Sequence, residues 1–148
     1  VGSDEMLRAG LNLRDAGINL SSMVLLGLAG RGERSVEHAL ATANITNLMK
    51  PEYLAALTIT PVPGTILHTR MKRGEFELPD AFETLEEMKI LFENITIDGL
   101  KFVGIHASNY LPVNGTLQKD REKMLSLING VLEKRDPSLI RPEYMRGL

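Results

Sequence analysis

The chain has 148 residues, of which 43% are hydrophobic and 24% charged, and its formal net charge is -2. This length suffices for one compact domain with a real core or for about half of a larger barrel, and it excludes two full domains. The nearly balanced charge does not favour nucleic acid as a partner on electrostatic grounds. Cysteine is absent, which excludes disulfides, thiolate zinc sites and iron–sulfur ligation by this chain.

The expected location is the cytoplasm, with no membrane partner. No run approaches the roughly 18 apolar residues of a membrane span. The opening residues VGSDEMLRAG lack the basic flank and the apolar stretch of a signal peptide. His38 and His68 have no second histidine at i+4, so we expect surface histidines and no metal site.

Hydrophobic periodicity alternates between helical and strand-like along the chain, which is typical of βα units around a mainly parallel sheet. The first half is predicted to begin with a helix over 3–16, followed by a buried strand over 18–28 and a glycine-rich loop. The next helix has Ser35 as its N-cap, and its apolar face contains Val36, Ala39, Leu40 and Ala43. A strand over 53–60 and a short helix over 65–73 follow.

The second half is predicted to hold two longer helices and one strand. Asp80 and Glu83 form a capping-box pattern before an apolar stripe. The first helix begins at Asp80, and its apolar stripe contains Ala81, Leu85, Met88, Phe92 and Ile95. A strand over 102–106 and an irregular segment over 108–115 follow. The second helix covers 120–134, with Met124, Leu127, Ile128 and Val131 buried, and a loosely packed tail begins at Asp136.

Three strands make an incomplete parallel sheet, because such sheets are normally covered on both faces and protected at their edges. We therefore expect one structural unit that is a piece of a larger barrel. Its expected partners are the missing N-terminal barrel half, an unknown small-molecule substrate or another copy bound through an exposed sheet edge.

Ligands of α/β folds bind beyond the carboxyl ends of the strands, and three segments occupy that position. The glycines of the loop Gly27–Glu33 either let a ligand approach the backbone or serve only the backbone angles of a tight turn from strand to helix. The segment Thr60–Thr65 offers a flat apolar surface to a planar ring or is a rigid turn. In the third segment His106 could move a proton and Asn109 could orient a polar substrate, unless both are structural.

Two of these segments carry a family resemblance. The runs GINLSSMVLLGLAG (17–30) and LTITPVPGTIL (57–67) resemble the fifth and sixth strands of radical S-adenosylmethionine (SAM) enzymes. The resemblance implies a partial six-strand (βα) barrel in which a CxxxCxxC loop holds a [4Fe–4S] cluster that cleaves SAM to a radical. The implied SAM contacts are Gly27, Leu28 and Gly30, with Thr60, Pro61 and Val62 supplying the main-chain edge for the adenine.

The run FVGIHASNYLP (102–112) is similar to the C-terminal extension of coproporphyrinogen-oxidase-like radical SAM proteins. This implies a substrate-side position for His106, Asn109 and Tyr110. Residues 1–97 would then be the last βα units of a (βα)6 TIM-like barrel, and residues 98–148 its C-terminal extension. One departure is that Met23 and Gly30 replace the first glycine and the final acid of the family pattern G-x-I-x-G-x-x-E.

The expected function is thus part of a SAM pocket and a closure of the substrate side. SAM and the [4Fe–4S] cluster belong to the parent enzyme, and neither cofactor nor metal is expected on this chain alone. Two alternatives remain: a fragment of a non-radical barrel enzyme, an aldolase or hydrolase using His106, and a non-catalytic α/β binding module.

Overall fold

The computed structural model describes residues 2–147, and it has α/β architecture. The elements in chain order are α1 Ser3–Asp15, β1 Ser21–Leu26, α2 Glu33–Met49, β2 Tyr53–Thr58, α3 Ile66–Lys72, α4 Ala81–Asn94, β3 Leu100–Gly104, β4 Val113–Leu117, α5 Arg121–Lys134, and 3-10 turns at Pro137–Leu139 and Glu143–Met145. Within this part of the chain no helix combines the length and apolarity needed to cross a membrane.

The four strands form one open sheet in the order β1-β2-β3-β4. Strands β1, β2 and β3 are parallel, whereas β4 pairs antiparallel with β3. The mainly parallel α/β sheet expected from the sequence is confirmed. Leu26 pairs with Thr58 at the carboxyl end of β1 and β2, so the loops that follow these strands emerge side by side.

Strand β4 corrects the last three residues of the predicted irregular segment over 108–115, whereas residues 108–112 are irregular as predicted. Asn114 and Gly115 are poor strand formers, and pairing with β3 overrides that preference. Gly115 is needed at its position, because a Cβ there would lie 2.6 Å from Sδ of Met124 on α5. The helix therefore packs close against the strand only where the side chain is absent.

One face of the sheet is covered by α2, α4 and α5 and contains the hydrophobic core. Alternate strand residues point to this face. Phe92 of α4 meets Phe102 of β3 edge to face, with ring centroids 4.6 Å apart. The largest buried apolar side chains of this core are Leu54, Leu85, Met88, Leu91, Phe92, Ile95, Leu100, Phe102, Leu117, Met124 and Ile128.

The opposite face of the sheet is apolar but bare. Met23 is 72% exposed and Ile105 57% exposed, and the pairing register places their strand positions on the same face. The apolar residues of this bare face are Met23, Leu25, Tyr53, Ala55, Leu57, Val103 and Ile105, and the register adds the polar residues Ser21, Lys101, Asn114 and Thr116. The expectation of a buried first strand is wrong for these positions of β1, whose inner residue Leu26 alone is fully buried.

Helix boundaries follow the predicted signals with one clear exception. The Asp80–Glu83 capping box is confirmed, with the two reciprocal bonds at 2.8 and 2.7 Å. Helix α2, however, begins at Glu33 with Gly32 as N-cap, so Ser35 lies inside the first turn. The predicted burial of Leu127 is wrong, because its side chain is exposed. On the predicted apolar face of α2, Ala39 and Ala43 are buried, whereas Val36 and Leu40 are exposed.

Candidate functional site

The three segments singled out in the sequence meet at one edge of the sheet. The loop after β1, the turn after β2 and the segment after β3 all follow the carboxyl ends of adjacent parallel strands. The backbone pairing continues past β2, since the N–H of Ile59 donates to the carbonyl of Leu26 at 2.9 Å. The parallel register therefore brings these segments together, as the strand order requires.

The glycine loop is packed tightly against its neighbours. Gly27 and Gly30 have φ of +81° and +82°, in the left-handed region that disfavours side chains. A Cβ on Gly27 would lie 3.1 Å from Cγ2 of Ile59, and one on Gly30 would lie 3.1 Å from the carbonyl oxygen of Glu77. The loop needs these glycines for its own packing, while the side chain of Leu28 is left exposed.

A buried carboxylate behind this loop was not anticipated from the sequence. Glu87 of α4 accepts the N–H of Gly27 at 2.9 Å and the hydroxyl of Ser35 at 3.0 Å. Its other oxygen lies 2.7 Å from Nδ1 of His38. Ser35 was predicted to be the N-cap of α2, but its hydroxyl donates to Glu87 instead. His38 is a half-buried partner of an acid, so its expected place on the surface is wrong.

The turn after β2 presents its predicted adenine-binding residues at the surface. Thr60 and Val62 are exposed and Pro61 is half-buried. The carbonyl of Val62 accepts both the N–H and the hydroxyl of Thr65, at 3.1 and 2.7 Å. Thr65 in turn caps α3 by accepting the N–H of His68. The turn is therefore rigid, with its apolar side chain facing outward.

Asn109 is fully buried and ties the ends of β2 and β3 together. Its exposure is 0%. Its amide nitrogen donates to the carbonyls of Ala56 at 2.7 Å and Gly104 at 3.0 Å, and its oxygen accepts the hydroxyl of Thr58 at 2.9 Å. Both hydrogens of the side-chain amide are donated within the protein, so Asn109 holds the ends of β2 and β3 in place beneath the loops. Its contact with a substrate stays a prediction.

His106 and Ser108 form a local pair in which only the histidine is accessible. Nδ1 of His106 lies 2.9 Å from Oγ of Ser108 and accepts the Ser108 N–H at 3.2 Å. We assign the proton of the neutral ring to Nε2, because Nδ1 is an acceptor here. The hydroxyl of Ser108 is buried and also accepts the N–H of Thr58 at 3.0 Å. This arrangement does not favour Ser108 as a nucleophile.

The C-terminal tail packs onto this edge, and the expectation of loose packing is wrong. Nε of Arg146 donates to the carbonyl of Ser108 at 2.7 Å, and its guanidinium carbon lies 4.0 Å above the ring centre of Tyr110. Nη1 donates to the Tyr110 hydroxyl at 2.6 Å and to Glu143 at 2.7 Å, and Nη2 lies 3.5 Å from Oγ1 of Thr60. The tail therefore joins the ends of β2 and β3.

Two further interactions define this tail region. Nη1 of Arg141 lies within hydrogen-bond distance of three carbonyls of this loop, those of His106, Ala107 and Asn109. Burial, and then the hydrogen bond with Glu143, raise the pKa of Tyr110 well above its ordinary value. Tyr110 is thus a neutral, inward-packed phenol whose hydroxyl is already engaged.

The chain matches no protein-family model, and no curated protein matches its sequence. Within residues 2–147 no three His, Asp or Glu side chains are grouped so as to hold a metal ion. The geometry of the carboxyl edge and of the bare face is what bears on function.

Proposed function

We propose that this chain is the C-terminal section of a radical SAM barrel enzyme, in which it seats part of SAM and closes the substrate side. The observation that carries the proposal is a mainly parallel sheet with one uncovered, largely apolar face and with both segments that resemble SAM-binding segments at its carboxyl edge. The sequence resemblance suggests SAM as the ligand. The fold places the two segments that carry this resemblance, residues 17–30 and 57–67, side by side.

The bare face is the first support. Parallel sheets are covered on both faces, and exposed apolar patches of this kind mark surfaces that another element covers. In a (βα) barrel the helices lie outside and the uncovered strand face points inward, where apolar side chains fill the interior. The face that includes Met23, Leu57 and Ile105 has this character.

The free edge of β1 is the second support. The strand pairs with β2 on one side only. Beside it lies an apolar groove of about 400 Å³ whose lining includes Met6 of α1, Leu25 and Ile45. A preceding parallel strand with its helix, supplied by the N-terminal half of the barrel, would pair with this edge and fill the groove.

The residues at the carboxyl edge fit the adenosine part of SAM. Leu28 and Val62 are exposed apolar side chains on adjacent loops, suited to the faces of a purine ring, and the backbone from Thr60 to Val62 offers main-chain polar groups to its edge. The chain has no cysteine and cannot hold the cluster. In the parent enzyme the cluster would supply the electron that cleaves SAM.

The substrate side is assigned to the segment after β3. His106 is exposed there, with Asn109 and Tyr110 packed behind it. The aldolase or hydrolase alternative would use His106 as its acid or base, and the buried Ser108 hydroxyl gives it no nucleophile. A non-catalytic module would keep the bare face as a binding surface and would show no adenosine response.

The test is a titration of the isotopically labelled whole protein, encoded by the natural reading frame that contains this sequence, with S-adenosylhomocysteine, a stable analogue of SAM, followed by NMR. We expect the amide signals of Gly27, Leu28, Gly30, Thr60 and Val62 to shift with one common affinity. Adenosine should shift the same signals, and guanosine should not, because a main-chain edge distinguishes the two purines. Shifts confined to other residues, or none, would refute the proposal.

A second test uses the natural reading frame that encodes this sequence. We expect a CxxxCxxC motif upstream, and anaerobic reconstitution of the encoded protein with iron and sulfide should give a cluster that cleaves SAM. A frame without that motif would exclude the radical SAM assignment.

A further inference from the structure

Glu87 is the one buried carboxylate of the described residues that no proposed step uses. Its side chain is 1% exposed, although it forms no ion pair with an arginine or lysine. Burying a carboxylate is costly unless hydrogen bonds replace its water. Here three groups do so, the N–H of Gly27, the hydroxyl of Ser35 and Nδ1 of His38, to which we assign the ring proton because a carboxylate oxygen can only accept.

The three donors belong to the two ends of the glycine loop. Gly27 is the first residue after β1, and Ser35 and His38 lie in the first two turns of α2, which follows the loop. Oε2 receives the bonds from Gly27 and Ser35, and Oε1 faces His38. One side chain of α4 therefore fixes where the loop leaves the sheet and where it enters the next helix.

The other contacts of the loop lie at its middle and on the surface. Nη2 of Arg31 lies 2.7 Å from Oε1 of Glu83 on α4, and Gly30 packs against the carbonyl of Glu77. An exposed ion pair of this kind contributes little to stability. The amide of Gly30 donates back to the carbonyl of Gly27 at 3.1 Å, which closes a turn inside the loop and does not anchor it. The N-cap of α2 is Gly32, which has no side chain to hold the first turn. The two ends of the loop, where it leaves β1 and where it enters α2, thus depend on Glu87, together with the packing of Gly27 against Ile59.

We propose that Glu87 is the positioning residue of the glycine loop, holding Gly27 and the start of α2 in the arrangement that receives the nucleoside of SAM. This inference rests on the proposed function. Glu87 itself is buried below the loop, so it acts through the Gly27 backbone and does not touch the ligand.

The test compares two substitutions of Glu87 with one neighbour. Glu87→Gln keeps an oxygen that accepts from Gly27 and Ser35, and its NH2 group can donate to His38 in the other ring tautomer. Glu87→Met keeps the approximate volume and removes every acceptor. Glu86→Gln is the matched control, because Glu86 is the adjacent, exposed carboxylate, 3.4 Å from Arg135.

The measurements are hydrogen exchange at the Gly27 amide and the affinity for S-adenosylhomocysteine, both made on the whole protein that contains this sequence. In Glu87→Met we expect Gly27 to exchange at least about tenfold faster and the dissociation constant to rise about tenfold, as for loss of one charge-assisted hydrogen bond. Glu87→Gln should stay within about threefold of the unmodified chain. Amides in β2 should keep their protection in all variants.

The outcomes separate this inference from the proposed function. If the unmodified whole protein does not respond to S-adenosylhomocysteine, the proposed function fails, and with it the assignment of the loop to SAM. If it responds, and Glu87→Met keeps both the Gly27 protection and the affinity, the role of Glu87 is overturned. Should Glu87→Met fail to fold, Ser35→Ala, which removes one donor to the same oxygen, must show a smaller change in the same direction, and no change there overturns the role.

Discussion

Along the three parallel strands the two faces of the sheet are similarly apolar in sequence, but they differ in what covers them. On one face Leu54, Ala56 and Phe102 are buried under helices, whereas on the other Met23, Val103 and Ile105 are exposed. Continuous apolar strands are the mark of a parallel sheet covered on both sides. The contrast teaches that the strand sequences are suited to a larger structure than the one these residues form.

The largest expected effect comes from opening the covered face. Phe102→Ala removes a ring that packs edge to face on Phe92, and we expect a loss of about 4 kcal/mol in the free energy of unfolding, from lost burial and a cavity. Urea unfolding measures it. Val103→Ala, one residue along the same strand but on the bare face, should cost less than about 1 kcal/mol. Equal losses would contradict the difference between the faces.

Polar side chains at the carboxyl edge show the same contrast between buried and exposed residues. Asn109→Ala leaves the carbonyls of Ala56 and Gly104 without their donor, and we expect a loss of about 3 kcal/mol in the free energy of unfolding. The exposed His106→Ala should cost less than about 1 kcal/mol by the same measurement. A tolerated Asn109→Ala would mean that this network is not formed in solution.

Tyr110 allows the covered edge to be tested by pH. Its pKa is raised on folding, so the unfolded chain loses the phenol proton first and stability falls as the pH rises above about 10. Tyr110→Phe should lessen this alkaline decline, which unfolding curves between about pH 8 and pH 11 would measure. Tyr144→Phe is the control, because that side chain is exposed. Identical alkaline profiles for the two variants would count against the burial of Tyr110.

The smallest effect on stability is expected on the bare face. Met23→Gln combined with Leu25→Gln should change the free energy of unfolding by less than about 1 kcal/mol and should reduce self-association, since the bare apolar surface is what copies would share. Sedimentation at several concentrations measures this. Met145→Gln, at an exposed methionine of the tail, should leave the association unchanged. A stability loss as large as that of Phe102→Ala would show that the face is covered in solution.

Local signals predicted most helices because each signal lies within a few residues of the chain. The Asp80–Glu83 capping box and the stripe through Leu85, Met88 and Phe92 are examples, and α4 forms where they indicate. The first three strands were predicted from apolar runs, and their parallel order follows from the helices between them. Gathering the three candidate segments at one edge required nothing more than that order.

Long-range contacts decided the features that the sequence did not reveal. Strand β4 forms by pairing with β3, despite a composition typical of a loop. Glu87 lies in a helix rich in acids, and only the approach of Gly27 and Ser35 distinguishes it from the exposed Glu86. Arg146 reaches the ends of β2 and β3 from the last residues of the chain.

The sequence by itself determined the class of fold, the helices and which strand ends meet, because periodicity and connection length are local properties. The tertiary structure alone decided which apolar face is covered, which acid is buried and how the tail closes the edge. Burial and hydrogen bonding depend on residues that are distant in the chain, and no local pattern encodes which of them will meet.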